Sequence, residues 1–170
     1  MPPGTTSVHF RTRKALLHGI AARMTELDVA DLTAVVDALR DPDGPLAGTA
    51  GFAKIVLLSA TEPYLTRSKA RYELALQAGR DPELRATMQA ATDLMRQLAR
   101  TIVTHWYAGS EPPDPAVVDE QTTALLTLVH GVMMGFVTGS PLVDDEARLD
   151  RLLQGLLDAL APRHHRTPPD

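Results

Sequence analysis

The sequence predicts an all-α protein, and three observations lead to this fold class. Apolar residues recur every three or four positions over long stretches, as they do on one face of a helix. Clusters of proline, glycine and aspartate divide these stretches into separate segments. No segment shows the alternation of polar and apolar residues that is typical of a half-buried strand. The patterns together predict a helical bundle.

The breakers set the boundaries of the helical segments. A long amphipathic segment comes first and stops at the Asp-Pro-Asp-Gly-Pro run of residues 41–45. The next segment is apolar on nearly all sides, which indicates a buried helix. Gly79 ends the third segment, and Pro162 ends the last. The predicted helices cover residues 12–39, 46–60, 63–78, 82–109, 115–138 and 144–161.

Two helix starts carry the clearest local signals. Asp81-Pro82 and Asp114-Pro115 each place a carboxylate at the N-cap and a proline at the first helical position. The carboxylate can accept hydrogen bonds from backbone N–H groups that have no helical partner, and proline loses no helical hydrogen bond there. Glu83 adds a negative charge that the helix dipole favours in the first turn.

Length and composition fit one helical domain without disulfides. The chain has 170 residues, 44% of them hydrophobic and 22% charged, and it contains no cysteine. No signal peptide is visible, and the most apolar stretch, residues 124–137, is too short to span a bilayer. We therefore expect a cytoplasmic protein with no membrane partner.

Charge is distributed unevenly along the chain. The first 25 residues carry four basic and no acidic side chains, whereas the remainder has 13 basic and 21 acidic ones. A basic end on an acidic body suggests that this end faces a polyanion such as DNA. A solvated N-terminus that happens to be basic explains the same pattern, and charge alone does not separate the two interpretations.

The last two predicted helices suggest an interface between chains. Gly131, Gly135 and Gly139 recur on one helical face, although each glycine inside a helix costs about 1 kcal/mol relative to alanine. Close approach of another helix would compensate for that cost. We expect a two-fold dimer with a four-helix interface, while an ordinary intramolecular core is the alternative. The interface is predicted to include Gly131, Gly135, Gly139, Leu149, Leu153 and Leu156.

Three stretches of the chain carry a family resemblance. Residues 4–16 read GTTSVHFRTRKAL, and residues 70–76 and 81–85 read ARYELAL and DPELR. The first stretch resembles the end of the helix-turn-helix in tetracycline-repressor-like (TetR family) regulators, and the other two resemble the regulatory half of one branch. The resemblance covers nearly the whole chain. It implies an all-α regulatory bundle that follows a partial helix-turn-helix.

The resemblance implies DNA contacts near the N-terminus. Residues 1–14 would be a remnant of the DNA-binding head, residues 15–161 the ligand-binding and dimerisation domain, and residues 162–170 a disordered tail. Met1 stands where the family commonly has valine, so we expect that the native start and two further helices lie upstream. The chain as given is then predicted to bind DNA weakly or not at all. The implied DNA-contacting residues are Thr5, Thr6, Ser7, His9 and Arg13.

Family membership also implies a small apolar or amphipathic effector that binds among the central helices. Its binding would shift the DNA-binding heads through the first long helix. Pockets of this kind are mostly apolar with a few polar groups. Every candidate residue also has an ordinary interpretation as part of the helical core. The candidates are Phe52, Tyr72, Met88, Met95, Trp106, His130 and Met133.

The sequence contains no motif of a known catalytic type. Nucleotide-binding loops, zinc-ligand spacings and nucleophile elbows are all absent, so we expect no enzyme activity, cofactor or metal. The sequence therefore predicts a dimeric TetR-like transcriptional regulator, acting as a repressor on operator DNA once its head is complete. The alternative is a stand-alone small-molecule-binding or dimerisation module without a DNA role.

Overall fold

The computed structural model describes residues 12–39, 44, 48–107 and 113–161. All regular structure in these ranges is helical, which confirms the predicted all-α class. The helices are α1 (Arg13–Leu39), α2 (Gly48–Leu58), α3 (Tyr64–Ala78), α4 (Pro82–Trp106), α5 (Pro115–Thr138) and α6 (Glu146–Leu160).

The predicted helix starts are found with their expected caps. The Asp81 side chain accepts hydrogen bonds from the backbone N–H groups of Glu83 and Leu84, and Asp114 accepts one from Ala116. Asp145 caps α6 in the same way. These carboxylates satisfy N–H groups that the first helical turn leaves without partners.

Several helix boundaries differ from the predicted ones by one to three residues, and two of these differences are instructive. Helix α2 begins at Gly48 instead of residue 46, and Gly48 has a φ of +66°, outside the helical range. Helix α4 ends at Trp106, three residues before the predicted Gly109. The predicted tail, residues 162–170, lies outside the described residues.

Two groups of buried apolar residues hold the helices together. In the larger group, α2, α4, α5 and α6 meet around fully buried leucines. A smaller group joins the N-terminal half of α1 to α3 and α4 through Ala21, Leu74, Ala78 and Leu84. Helix α1 packs mainly along α4, whereas α2 packs mainly against α6. The C-terminal half of α1 also packs on the larger group through Leu32, Val35 and Val36, so this helix contacts both groups.

Buried polar side chains tie distant segments into the larger core. The Gln121 amide donates hydrogen bonds to the Tyr107 hydroxyl (2.7 Å) and to the backbone oxygen of Leu157 (2.9 Å). The Thr49 hydroxyl donates to the Asp150 carboxylate at 2.5 Å and so joins α2 to α6. These bonds offset the cost of burying polar groups.

Several residues predicted at a dimer interface are accounted for within one protomer. Leu149 and Leu153 are fully buried in the core, so their side chains offer no surface to a second chain. Gly135 packs against the turn that follows α5, where an added Cβ would lie 3.1 Å from the Ser140 oxygen. Gly139 ends α5 with a φ of +73°, a left-handed conformation that glycine adopts readily.

Gly131 and Leu156 keep surface outside the core. Gly131 is exposed, and an added Cβ there would meet nothing within 4 Å. Leu156 is partly buried. Both residues therefore keep surface that a second chain could contact in the predicted interface.

Helix α5 is the one helix of the described residues that is long and apolar enough to cross a membrane. It has 24 residues, and its most apolar window has a mean hydropathy of 1.2. The apolar stretch of residues 124–137, which was expected to be too short to span a bilayer, is part of this longer helix. Nine residues of α5 are buried against the rest of the protein, as in a core helix.

We predict that Leu153→Ala lowers the free energy of unfolding by about 2–5 kcal/mol, because it leaves a cavity at a fully buried position. Urea unfolding followed by circular dichroism measures the change. Leu76→Ala is the matched control, since Leu76 is 72% exposed and should change stability by less than about 0.5 kcal/mol. Equal effects of the two substitutions would contradict the assigned core.

Candidate ligand-binding site

A cavity of about 740 Å³ lies between α1, α2, α3, α4 and α5. Its volume falls within the range of pockets that hold small molecules. Several wall residues are also exposed to solvent, so the cavity is partly open. The residues that line it belong to α1, α2, α3, α4 and α5 and include Ser59, which directly follows α2. No described residue of α6 is among them.

The inner wall of the cavity is apolar. Phe52 and Val56 of α2, Leu98 of α4, and Val129 and Met133 of α5 are buried and face the cavity. Burying apolar surface against such a wall contributes roughly 25 cal/mol per Å² to binding before the costs of association. The cavity is therefore suited to a ligand with an apolar body.

The cavity brings together six of the seven residues predicted to bind a ligand. They come from four different helices, so their proximity follows from the fold and not from sequence spacing. Trp106 does not line the cavity, because it lies at the end of α4 and packs against the larger core. The six wall residues are Phe52, Tyr72, Met88, Met95, His130 and Met133.

Sequence reasoning missed two ion pairs on the cavity wall, which join α1 to α3. The Asp28 carboxylate accepts two hydrogen bonds from Arg71, at 2.9 Å from Nε and 2.5 Å from Nη2. Asp31 accepts a hydrogen bond from Nη2 of Arg67. A usable signal was present: the acids are spaced i,i+3 and the arginines i,i+4, so each pair lies on one helical face.

The two ion pairs differ in their surroundings. Asp28 is 6% exposed, and its bidentate contact with Arg71 satisfies both carboxylate oxygens. Arg67 lies over the ring of Tyr64, 5.2 Å from its centroid, in a cation–π contact. The Nε atom of Arg67 is buried and has no hydrogen-bond partner among the described residues.

Tyr72 and His130 form the polar part of the α3–α5 wall. The Tyr72 hydroxyl donates a hydrogen bond to the backbone oxygen of His130 at 3.2 Å. Burial raises the pKa of Tyr72, so the hydroxyl keeps its proton and stays a donor at neutral pH. Nδ1 of His130 lies 2.7 Å from the backbone oxygen of Leu126, one turn earlier. The free edge of the exposed imidazole can therefore contact a ligand.

The charged groups on the wall have a positive balance. Asp28 and Asp31 are each paired with an arginine. Lys54 of α2 and Arg96 of α4 also line the cavity, are exposed, and form no ion pair with any described residue. The wall described here thus has four basic and two acidic side chains. Negative ligand groups are favoured over positive ones by this balance.

A second cluster of polar groups lies away from the cavity, where α1 meets the start of α4. Nε2 of His18 donates a hydrogen bond to Asp81 at 3.0 Å, and Nζ of Lys14 lies 2.9 Å from Glu83. Side-chain atoms of His18, Asp81 and Glu83 lie within 4.8 Å of one another, close enough to hold a metal ion. Lys14 already supplies a cation to both acids, so an electrostatic clamp between the helices accounts for the cluster.

The predicted DNA-contacting residues lie at or before the start of α1. Thr5, Thr6, Ser7 and His9 are outside the described residues. Arg13 is the first residue of α1 and is exposed. The same helix reaches the cavity wall at Ala21, eight residues or about 12 Å further along.

Fold and cavity define a class of protein: an all-helical domain built around a space of small-molecule size. A family model described as "Tetracyclin repressor-like, C-terminal domain" matches residues 43–159. The match covers more than half of the chain, and the protein therefore belongs to the tetracycline-repressor-like (TetR) family. This confirms the family that the sequence motifs indicated. No curated protein and no solved structure matches the chain.

The clamp predicts a pH dependence of stability. The hydrogen bond from His18, followed by that from the Leu84 backbone N–H, lowers the pKa of Asp81 below its usual value of 3.8. A carboxylate with a lowered pKa in the folded state stabilises the protein above its unfolded pKa. That stabilisation is lost as the pH falls through the folded pKa.

We expect Asp81→Asn to be less stable than the parent protein at pH 7, because asparagine keeps the cap but loses the charge. The difference should shrink as the pH falls from about 5 to below the folded pKa. Urea midpoints between pH 7 and pH 3 measure it. Asp144→Asn, in the exposed turn before α6, controls for net charge. A difference that stays constant with pH would refute the assignment.

Proposed function

We propose that this protein is a TetR-like transcriptional regulator that acts as a repressor in the cytoplasm. A small apolar or amphipathic effector binds in the cavity that helices α1 to α5 form, and its binding weakens the affinity for DNA. Two chains pair through α5 and α6. Family membership supports the regulator, and the volume and apolar wall of the cavity support the effector.

One observation carries the proposal: α1 forms part of the cavity wall and also begins at the predicted head. Ala21, Asp28 and Val35 of α1 face the cavity, and Arg13 lies at its first turn. A ligand that binds one position of α1 more tightly than another shifts the balance between them. Couplings of this kind are typically about 1–3 kcal/mol, enough to change operator affinity about 5–150-fold.

The DNA-binding part of the proposal rests on the basic N-terminal stretch. If the gene encodes further residues before Met1, the protein that contains them should shift its own promoter fragment in a gel, with a steep dependence on salt. Arg13→Ala should weaken binding to all sequences alike, because a phosphate contact carries no sequence information. Arg23→Ala is the control on the same helix, since Arg23 is exposed and pairs with Glu26.

The outcome separates the two candidate functions. Specific, salt-sensitive binding that Arg13→Ala weakens and Arg23→Ala does not would support the regulator. Equally feeble binding to every DNA fragment would favour the alternative, a stand-alone small-molecule-binding or dimerisation module.

Exposed apolar surface on the last two helices supports a dimer. Met134 of α5 and Leu152 of α6 are each 42% exposed, and Leu142 in the turn between these helices is 77% exposed. Gly131 and Gly155 both have open space where a side chain would lie. Nothing in the described part of the protomer requires glycine at these two positions, and close approach of a partner helix explains them.

Gly131→Leu tests the interface without harming the protomer. The added side chain enters open space and replaces a poor helix former, so the free energy of unfolding of the protomer should not fall. Between two closely packed chains the same side chain would clash, and the dimer should dissociate. Analytical ultracentrifugation over a range of concentrations measures the assembly state.

Ala90→Leu is the matched control, an equivalent enlargement at an exposed position of α4. It should leave the dimer intact. A parent protein that stays monomeric at every concentration, or a Gly131→Leu protein that dimerises as the parent does, would rule out this interface.

A further inference from the structure

Two ion pairs form a ladder between α1 and α3 along the cavity wall. Asp28 pairs with Arg71, and Asp31 pairs with Arg67 one turn away. All four side chains line the cavity. The only charged groups that α1 and α3 present to the cavity are thus engaged with each other, as far as the described residues extend.

The basic members of the ladder have unused capacity for an acceptor. A guanidinium offers five N–H donors, and Asp31 engages Nη2 of Arg67, while the side chains of Arg67 and Arg71 stay 23% and 29% exposed. Lys54 and Arg96 add two further positive charges to the wall, and neither forms an ion pair with a described residue. An anion that enters the cavity would meet donors already in place.

From this arrangement we propose that the effector is an amphipathic anion, an apolar body with a carboxylate head. The head binds Arg67 and Arg71 in competition with Asp31 and Asp28, while the body lies against the apolar wall. This inference rests on the proposed function, in which the cavity is the effector site. It adds the chemical class of the ligand and the groups that recognise it.

The same charges disfavour a cationic ligand. Both oxygens of Asp28 are already engaged by Arg71, and a cation at Asp31 would lie beside the Arg67 guanidinium. A carboxylate instead matches the planar fork of arginine, which binds such groups in a bidentate way.

Competition between the ligand and the two aspartates for Arg67 and Arg71 would also couple ligand binding to the position of α1. Asp28 and Asp31 belong to α1, and their contacts with α3 weaken when the ligand takes the arginines. The clamp of Lys14 and His18 on α4 lies outside the cavity and stays in place. The charged part of the contact between α1 and α3 would therefore weaken, while the apolar contacts of α1 and its clamp on α4 stay in place.

Three ten-carbon probes of different charge test the ligand class: decanoate, 1-decanol and decylammonium. Isothermal titration calorimetry on the full chain at pH 7 gives the three dissociation constants. Decanoate should bind about tenfold or more tightly than decanol, and decylammonium most weakly. The apolar part is the same in all three, so the ratios report the head group.

Variants locate the head group. Arg71→Gln and Arg67→Gln should reduce the preference for decanoate over decanol about tenfold while the affinity for decanol is kept. Asp28→Asn should raise the affinity for decanoate, since it removes the competing carboxylate and keeps its shape. Lys69→Gln is the control, because Lys69 is an exposed residue of α3 that does not line the cavity.

The outcomes distinguish this inference from the function on which it rests. Equal binding of the three probes would overturn the anion and leave the cavity as an effector site. A preference for decanoate that Arg67→Gln and Arg71→Gln do not change would overturn the assigned groups, and so would an Asp28→Asn protein with unchanged or weaker binding. Absence of binding by all three probes would contradict both the anion and the effector site.

Discussion

The attachment of α1 to the body of the protein is the constraint on which the rest of the structure depends. Helix α1 packs along α4, is clamped at its first turns by Asp81, and is tied to α3 through Asp28. Both apolar contacts and charge pairs hold the helix: the clamp and apolar side chains join it to α4, and two ion pairs and the smaller apolar group join it to α3. The two kinds of attachment respond to different conditions. An apolar contact is indifferent to an anion, but a charge pair is not.

The cavity persists because the two apolar groups of the core do not merge. Phe52 and Leu98 belong to the larger group and Leu74 to the smaller one, yet all three line the same space. Protein interiors are normally packed as densely as organic crystals, with few voids larger than a water molecule. A space of about 740 Å³ is far larger than such voids. Five helices maintain it, and its walls are supported from outside by α6, which packs on α2 and α5.

Local signals predicted most of the fold, and long-range contacts were beyond them. Asp81-Pro82 and Asp114-Pro115 fixed two helix starts because a cap needs only neighbouring residues. Asp28 and Arg71 are 43 residues apart, and nothing in their local sequence shows that α1 and α3 will lie side by side. Apolar periodicity likewise shows that Leu153 faces something, but not whether that surface belongs to the same chain or to a partner. For the same reason, periodicity could not show that Trp106 packs against the larger core and does not line the cavity.

The exposed face of α5 has a consequence for the exchange of ligand with solvent. Thr127 and His130 on this face border the cavity, and Gly131 and Met134 lie beside them. In a dimer of the proposed form, the second chain would thus lie next to the opening of the cavity and cover part of it. Entry and release of the effector would then depend on how often the two subunits separate transiently. A tighter dimer would therefore lengthen the residence time of the bound effector.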